Sequence, residues 1–154
     1  MRLLVAVTGG IAAMSTAALW IGVGSSNAAP TSGQKADTVA GEQIYVDYCA
    51  ACHGAKLEGQ ENWRSPGSDG KLPAPPHDET GHTWHHADQV LFDYTKLGGA
   101  ELMAARGIEF ASGMPGFGDQ LSDEEINNVL AFIKSTWPDR IQKIQAERTQ
   151  AQGD

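Results

Sequence analysis

The only two cysteines of this 154-residue chain stand three positions apart, and a histidine follows the second: Cys49-Ala50-Ala51-Cys52-His53. Two thiols at this C-x-x-C-H spacing can add to the two vinyl groups of a haem as thioethers, which fixes the ring beside a helix end. The next residue can then place an imidazole on the iron. The same pair of thiols admits three other chemistries. A structural disulfide between Cys49 and Cys52 is geometrically possible in an exported protein, though it would close only a tiny loop. A thioredoxin-like redox pair needs a βαβ context, and no strand-period segment is visible. A zinc site needs a full set of nitrogen or sulfur ligands, and there is one cysteine pair. Haem attachment is the reading the five residues favour.

Haem iron in electron-transfer proteins commonly takes a histidine and a methionine as its two axial ligands. Beyond Pro30 the sequence offers Met103 and Met114. Met103 lies between Leu102 and Ala104 in a stretch that can form a short helix, where a methionine is ordinarily core filler. Met114 lies in Ser112-Gly113-Met114-Pro115-Gly116-Phe117, too rich in glycine and proline for a helix, and is the better candidate. His77, His82, His85 and His86 fall within ten residues. Three readings compete for them. They can form a surface loop near the haem rim, bonding backbone or propionates. One can displace Met114 to give a bis-histidine iron. Or the segment can hold a separate copper or zinc ion.

The elements that must position these groups are helical. A helix is expected from Thr38 to Ala51, with Ile44 and Tyr48 on one face and Tyr45 and Cys49 beside them. From Gly54 to Thr83 glycine, proline, serine and aspartate dominate, and Leu72-Pro73-Ala74-Pro75-Pro76 cannot be helix interior. A loop of roughly thirty residues is out of proportion to so small a domain unless something fills its inside. A second helix is expected from Asp88 to Leu97, burying Val90, Leu91, Tyr94 and Leu97, and a short one around Glu101 to Arg106. The last core helix carries the clearest start signal. Ser122 with Glu125 makes a capping box, followed by Ile126, Val129, Leu130 and Ile133 at helical spacing. Trp137-Pro138 closes it. Residues 138–154 form a polar tail that can be helical, with only Ile141 and Ile144 to bury.

The chain opens Met1-Arg2, runs apolar and uncharged from Leu3 to Val23, and reaches Ser26-Asn27-Ala28. This has the layout of a secretory signal, 1–28, cut after Ala28. The run is also about long enough, near 20 residues, to serve as an uncleaved anchor. Both readings place the rest of the chain outside the cytoplasm, and cleavage leaves no membrane span. Residues 29–37 are a flexible lead-in, 38–137 the domain. The whole chain carries −8. Without Arg2 it has ten cations against nineteen acids, or −9, which lacks the footprint of a nucleic-acid binder. The balance of 41% apolar and 19% charged residues excludes a wholly disordered chain. The acidity and the spread-out cations predict a redox partner with a basic or near-neutral, apolar docking surface around its redox centre.

The segment Gly41-Glu42-Gln43-Ile44-Tyr45-Val46-Asp47-Tyr48-Cys49-Ala50-Ala51-Cys52-His53-Gly54 resembles the start of class I c-type cytochromes. The similarity continues at Met114-Pro115 and from Leu121-Ser122-Asp123-Glu124-Glu125-Ile126 through Ala131-Phe132-Ile133, and covers residues 38–137. The resemblance implies an all-α haem domain of three to five helices with long irregular loops around the haem. It implies one covalent haem c on Cys49 and Cys52, with His53 and Met114 as iron ligands. Met114 stands where the family places its methionine, just before the C-terminal helix. A proline-bearing loop whose carbonyl receives the proximal imidazole is also implied, with Pro75 the candidate, and Trp84 or His85 is placed to reach a propionate. The implied activity is not enzymatic turnover. It is a monomeric periplasmic carrier, of the kind found in respiratory chains, shuttling single electrons between redox proteins. The alternative is a haem-assisted copper-handling protein built on the segment from His77 to His86. The length and histidine content of that segment depart from the family pattern.

Overall fold

A computed structural model describes residues 36–153. The expected leader, and the lead-in up to residue 35, lie outside that range. The first helix begins at Asp37, whose carboxylate accepts the Val39 and Ala40 N–H groups at 2.9 and 3.1 Å and so caps two of the donors a helix start leaves free. From there α1 (Thr38–Ile44) runs through a π turn (Tyr45–Cys49) directly into α2 (Ala50–His53), so that the chain from 38 to 53 is one continuous helix. It ends at Gly54, whose φ of 82° lets the backbone turn away. Gly41, Tyr45 and Cys49 form its buried line, while Val46 and Tyr48 are exposed. Tyr48 therefore leaves the core face expected for it, and its ring meets Phe117 edge-on at 6.2 Å between centroids.

This helix crosses α5 (Asp123–Ser135) at its one glycine. A methyl group at Gly41 would run into the Asn128 carbonyl and stand 3.0 Å from Phe132 Cβ. The Tyr45 and Phe132 rings lie 5.5 Å apart beside that crossing. The Asn128 side chain also accepts the Asp37 N–H at 2.8 Å, tying the start of the first helix to the middle of α5. At the start of α5, the Ser122 hydroxyl accepts the Glu125 N–H at 3.3 Å and the Glu125 carboxylate accepts the Ser122 N–H at 2.8 Å. That is the expected capping box.

The remaining helices close around these two. The α3 helix (Asp88–Leu97) has the expected bounds, but its buried residues are Leu91 and Thr95. The Thr95 hydroxyl satisfies itself on the Leu91 carbonyl at 2.9 Å, which is why a polar residue is tolerated there. Leu97, expected inside, is exposed. The short α4 (Gly99–Ala105) starts two residues earlier than expected. One apolar cluster joins Tyr45, Cys49, Leu57, Val129, Ile133, Trp137 and Ile141. A second joins Leu91, Leu121, Ile126 and Leu130.

The polar tail forms α6 (Asp139–Gly153) and docks against the rest. Ile141 is buried as expected. Gln145 is buried too, its amide donating to Asp88 Oδ1 at 2.7 Å and to the His86 carbonyl at 3.2 Å. Lys134 pairs with the same Asp88 at 2.7 Å. Counting the continuous first helix once, the described residues hold five α-helices, a single 3-10 turn (Thr83–His85) and no strand, which is the expected all-α class. No described helix is long and apolar enough to cross a membrane.

Candidate functional site

Cys49, Cys52 and His53 share the last turns of the first helix. The two thiols are free: Cys49 is buried and Cys52 exposed. Burial pushes the Cys49 thiol up to about 11, helped by the neighbouring Cys52. The disulfide alternative thus finds no bond between them here. His53 is buried, and its Nδ1 lies 2.8 Å from the Pro75 carbonyl. A carbonyl only accepts, so Nδ1 carries the proton and donates. Burial lowers the His53 pKa, and the Pro75 bond opposes that shift. A neutral imidazole with Nδ1–H engaged has Nε2 as its free lone pair, the arrangement of a histidine ready to bind a metal.

The loop that brings Pro75 to His53 is ordered by its own backbone. Gly59 N–H donates to the His53 carbonyl at 2.7 Å, Gln60 N–H to the Ala74 carbonyl at 2.8 Å, and His77 N–H to the Leu57 carbonyl at 2.8 Å. Gly59 has φ 68° and packs so closely on Pro75 and Pro76 that a side chain would collide with their backbone. A glycine is needed here on both counts, and the proline-rich run can approach His53 because it is present. Tyr45 holds the other side of the turn, its hydroxyl donating to the Gly54 carbonyl at 2.9 Å. Burial raises the pKa of that hydroxyl, so it remains a donor.

Met114 sits on a different segment and makes no hydrogen bond to the Cys49–His53 turn. Its N–H donates to the Ser112 hydroxyl at 3.1 Å, and its carbonyl accepts the Gly99 N–H at 3.3 Å. Phe117 and Gly118 continue the attachment through the Thr95 and Lys96 carbonyls, at 3.0 and 2.9 Å. The methionine segment is therefore anchored to the α3–α4 junction. With Leu97, Gly98, Glu101 and Pro115, Met114 lines a cavity of about 330 Å³. Gly98 and Gly116 face each other there with no room for a Cβ on either. Met103, the rejected candidate, lies inside α4.

The four clustered histidines do not act as one group. His77 is stacked on His53, with centroids 3.9 Å apart and planes 20° apart. His82 stacks on Trp63 at 5.5 Å and meets the edge of His86 at 5.4 Å. His85 stacks on Trp84 at 3.7 Å. Among the described residues no three histidine, cysteine or acidic side chains are placed to hold a metal ion. Trp84 donates its indole N–H to the Glu79 carbonyl at 3.3 Å, so that hydrogen is already engaged. The cations are less dispersed than the sequence suggested. Arg64 lies over the Trp63 ring at 4.0 Å, and Arg106 and Arg148 come near enough to His86 to oppose its protonation, after burial and the neighbouring histidines. Net charge alone does not describe that side of the molecule.

The donor set fits a covalently attached haem: two unlinked thiols at C-x-x-C spacing and a buried, neutral imidazole whose far nitrogen is free. Leu72, Leu97 and Ile108 are exposed apolar side chains on three separate segments. Sequence reasoning missed two contributors. The Trp137 indole donates to the His77 carbonyl at 2.7 Å, and the His77 ring lies against the imidazole. Neither leaves a local signal, because each pairs residues far apart in the chain.

The cytochrome c family matches the chain over residues 38–137, and the chain belongs to that family. It is 30% identical over 107 residues to the gluconate 2-dehydrogenase cytochrome c subunit of Pantoea cypripedii, an alignment covering 66% of this chain and 21% of the relative. The chain thus spans about a fifth of that relative's length. No solved structure matches it.

Proposed function

We propose that this chain is an exported, periplasmic carrier of single electrons. It holds one haem c through Cys49 and Cys52, with His53 and Met114 as axial ligands. When bound, the haem supplies a one-electron ferric/ferrous couple. The observation that carries the reading is the Nδ1–H of His53 donating to the Pro75 carbonyl at 2.8 Å. It fixes the tautomer, leaves Nε2 as the nitrogen that would bind the iron, and would make the imidazole a stronger donor. The chain's own residues hold and orient the group and turn over no substrate. Its donors and acceptors are other redox proteins. The relative's name sets a cytochrome c subunit beside a dehydrogenase, and a dehydrogenase is the donor class this suggests. The signal is removed after Ala28, and the mature protein works as a monomer. The copper-handling alternative gains no support from the described histidines, which offer no three-ligand group.

The test is optical. The oxidised protein should show a weak far-red band from sulfur on ferric iron, and a redox titration should follow a single one-electron step. Met114→Ala should remove that band and open a position on the ferrous haem that binds carbon monoxide, which the unaltered protein does not bind. If Met114→Ala leaves the band in place while Met103→Ala abolishes it, the methionine assignment is wrong.

A further inference from the structure

We propose that His77 is a positioning residue for the His53 imidazole, its flat ring fixing the plane in which the iron ligand stands. This rests on the reading of His53 as that ligand. The bond to the Pro75 carbonyl fixes one atom of the His53 ring. A single hydrogen bond holds a distance well and a ring's tilt poorly, because hydrogen-bond angles are broad. The tilt is set by what lies against the ring's face. That neighbour is His77, at 3.9 Å and 20° from parallel.

A positioning group must itself be held, and His77 is held on three sides. Its N–H donates to the Leu57 carbonyl at 2.8 Å, its carbonyl accepts the Trp137 indole at 2.7 Å, and its ring meets Tyr45 edge-on at 5.9 Å. Tyr45 is in turn bonded to Gly54, next to His53. His77 follows Pro75 by two residues, so one short segment delivers both the carbonyl that fixes the ring's position and the ring that fixes its plane.

Packing alone does not select a histidine here. Its Nδ1 is enclosed and has no hydrogen-bond partner, the one such side-chain atom among the described residues. Burying an unpaired nitrogen is unfavourable, and an aliphatic side chain would avoid it. An aliphatic side chain would not present a flat face. What the position retains, at that cost, is a thin planar ring against a planar ligand.

The experiment compares His77→Phe and His77→Leu in the haem-loaded protein by low-temperature electron paramagnetic resonance of the ferric state. The spread of the g values of a low-spin haem reports the orientation of its ligand planes. His77→Phe keeps a flat face and should reproduce the single low-spin signal of the unaltered protein. His77→Leu should stay low-spin but shift the low-field edge or split it into more than one signal. Identical spectra for His77→Leu and the unaltered protein would overturn the role. So would a His77→Phe signal that departs from the unaltered one, and this holds even if the leucine variant does not fold. An unaltered protein with no low-spin signal would instead overturn the assignment of His53, and this role with it.

Discussion

His53→Ala is expected to abolish the low-spin spectrum of the haem-loaded protein while leaving the haem on the chain. The two functions of the motif are separable. In the proposed reading Cys49 and Cys52 would supply the covalent bonds, and His53 would supply the field at the iron. Alanine at 53 removes the Nε2 donor and leaves the Pro75 carbonyl without the hydrogen bond at 2.8 Å. The turn that ends at Gly54 offers no replacement between the thiols, where only Ala50 and Ala51 stand. The expected result is a five-coordinate or water-ligated high-spin haem, seen as a displaced Soret band, with thioether linkages that survive denaturation. A low-spin spectrum retained in His53→Ala would mean that another imidazole binds the iron, and His77, already in contact with His53, would be the first to test by a second substitution.

Gly41→Val should cost stability on the scale of a core defect. Two effects of opposite sign meet at this position. In an exposed helix interior, replacing glycine by a residue with a Cβ gains up to about 1 kcal/mol from helix propensity. At Gly41 the added Cβ collides with the Asn128 backbone carbonyl, which belongs to the middle of α5 and cannot swing aside as a side chain would. Relief requires the two helices to separate, opening the contact of Tyr45 with Phe132. Overpacking of a tight interface costs about 1–3 kcal/mol, and the rigidity of the opposing atoms places valine at the upper end. A loss of about 2 kcal/mol or more is expected, which lowers the melting temperature by roughly 8 °C for a domain of this size. Gly41→Ala is the sharper test of sign. Propensity alone makes it stabilising, and the crossing makes it destabilising. Thermal unfolding showing Gly41→Ala more stable than the unaltered protein would mean that the helices do not meet at this residue.

Much of the architecture was legible because its signals are local. The Ser122–Glu125 capping box fixed the start of α5, and the Asp88–Leu97 helix was read to its ends. Pro75 was reached through the family pattern rather than from spacing. The rest depended on contacts that spacing cannot reveal. The π turn from Tyr45 to Cys49 rotates Tyr48 out of the core, a change of one residue per turn that a regular helical period does not anticipate. The α3 helix buries Thr95 and exposes Leu97 because Thr95 can bond its own helix while Leu97 stands beside the methionine segment. The polar tail became a docked helix through Gln145, a residue type rarely buried, made acceptable by Asp88 and the His86 carbonyl. His77 read as one of four loop histidines. Only the fold of the loop onto Leu57 and Trp137 sets it against the His53 ring.

Covalent attachment of one haem to this chain is read from the intact mass of the protein. The chain should be expressed with its own N-terminus in a host that matures c-type haem outside the cytoplasm, purified, and weighed under denaturing conditions. The account predicts the mass of the polypeptide beginning at Ala29 plus one haem, with the addition surviving acid and organic solvent, and its loss when Cys49 and Cys52 are both replaced by alanine. An exported protein that folds in such a host and shows the bare polypeptide mass, or whose haem departs on denaturation, would contradict it.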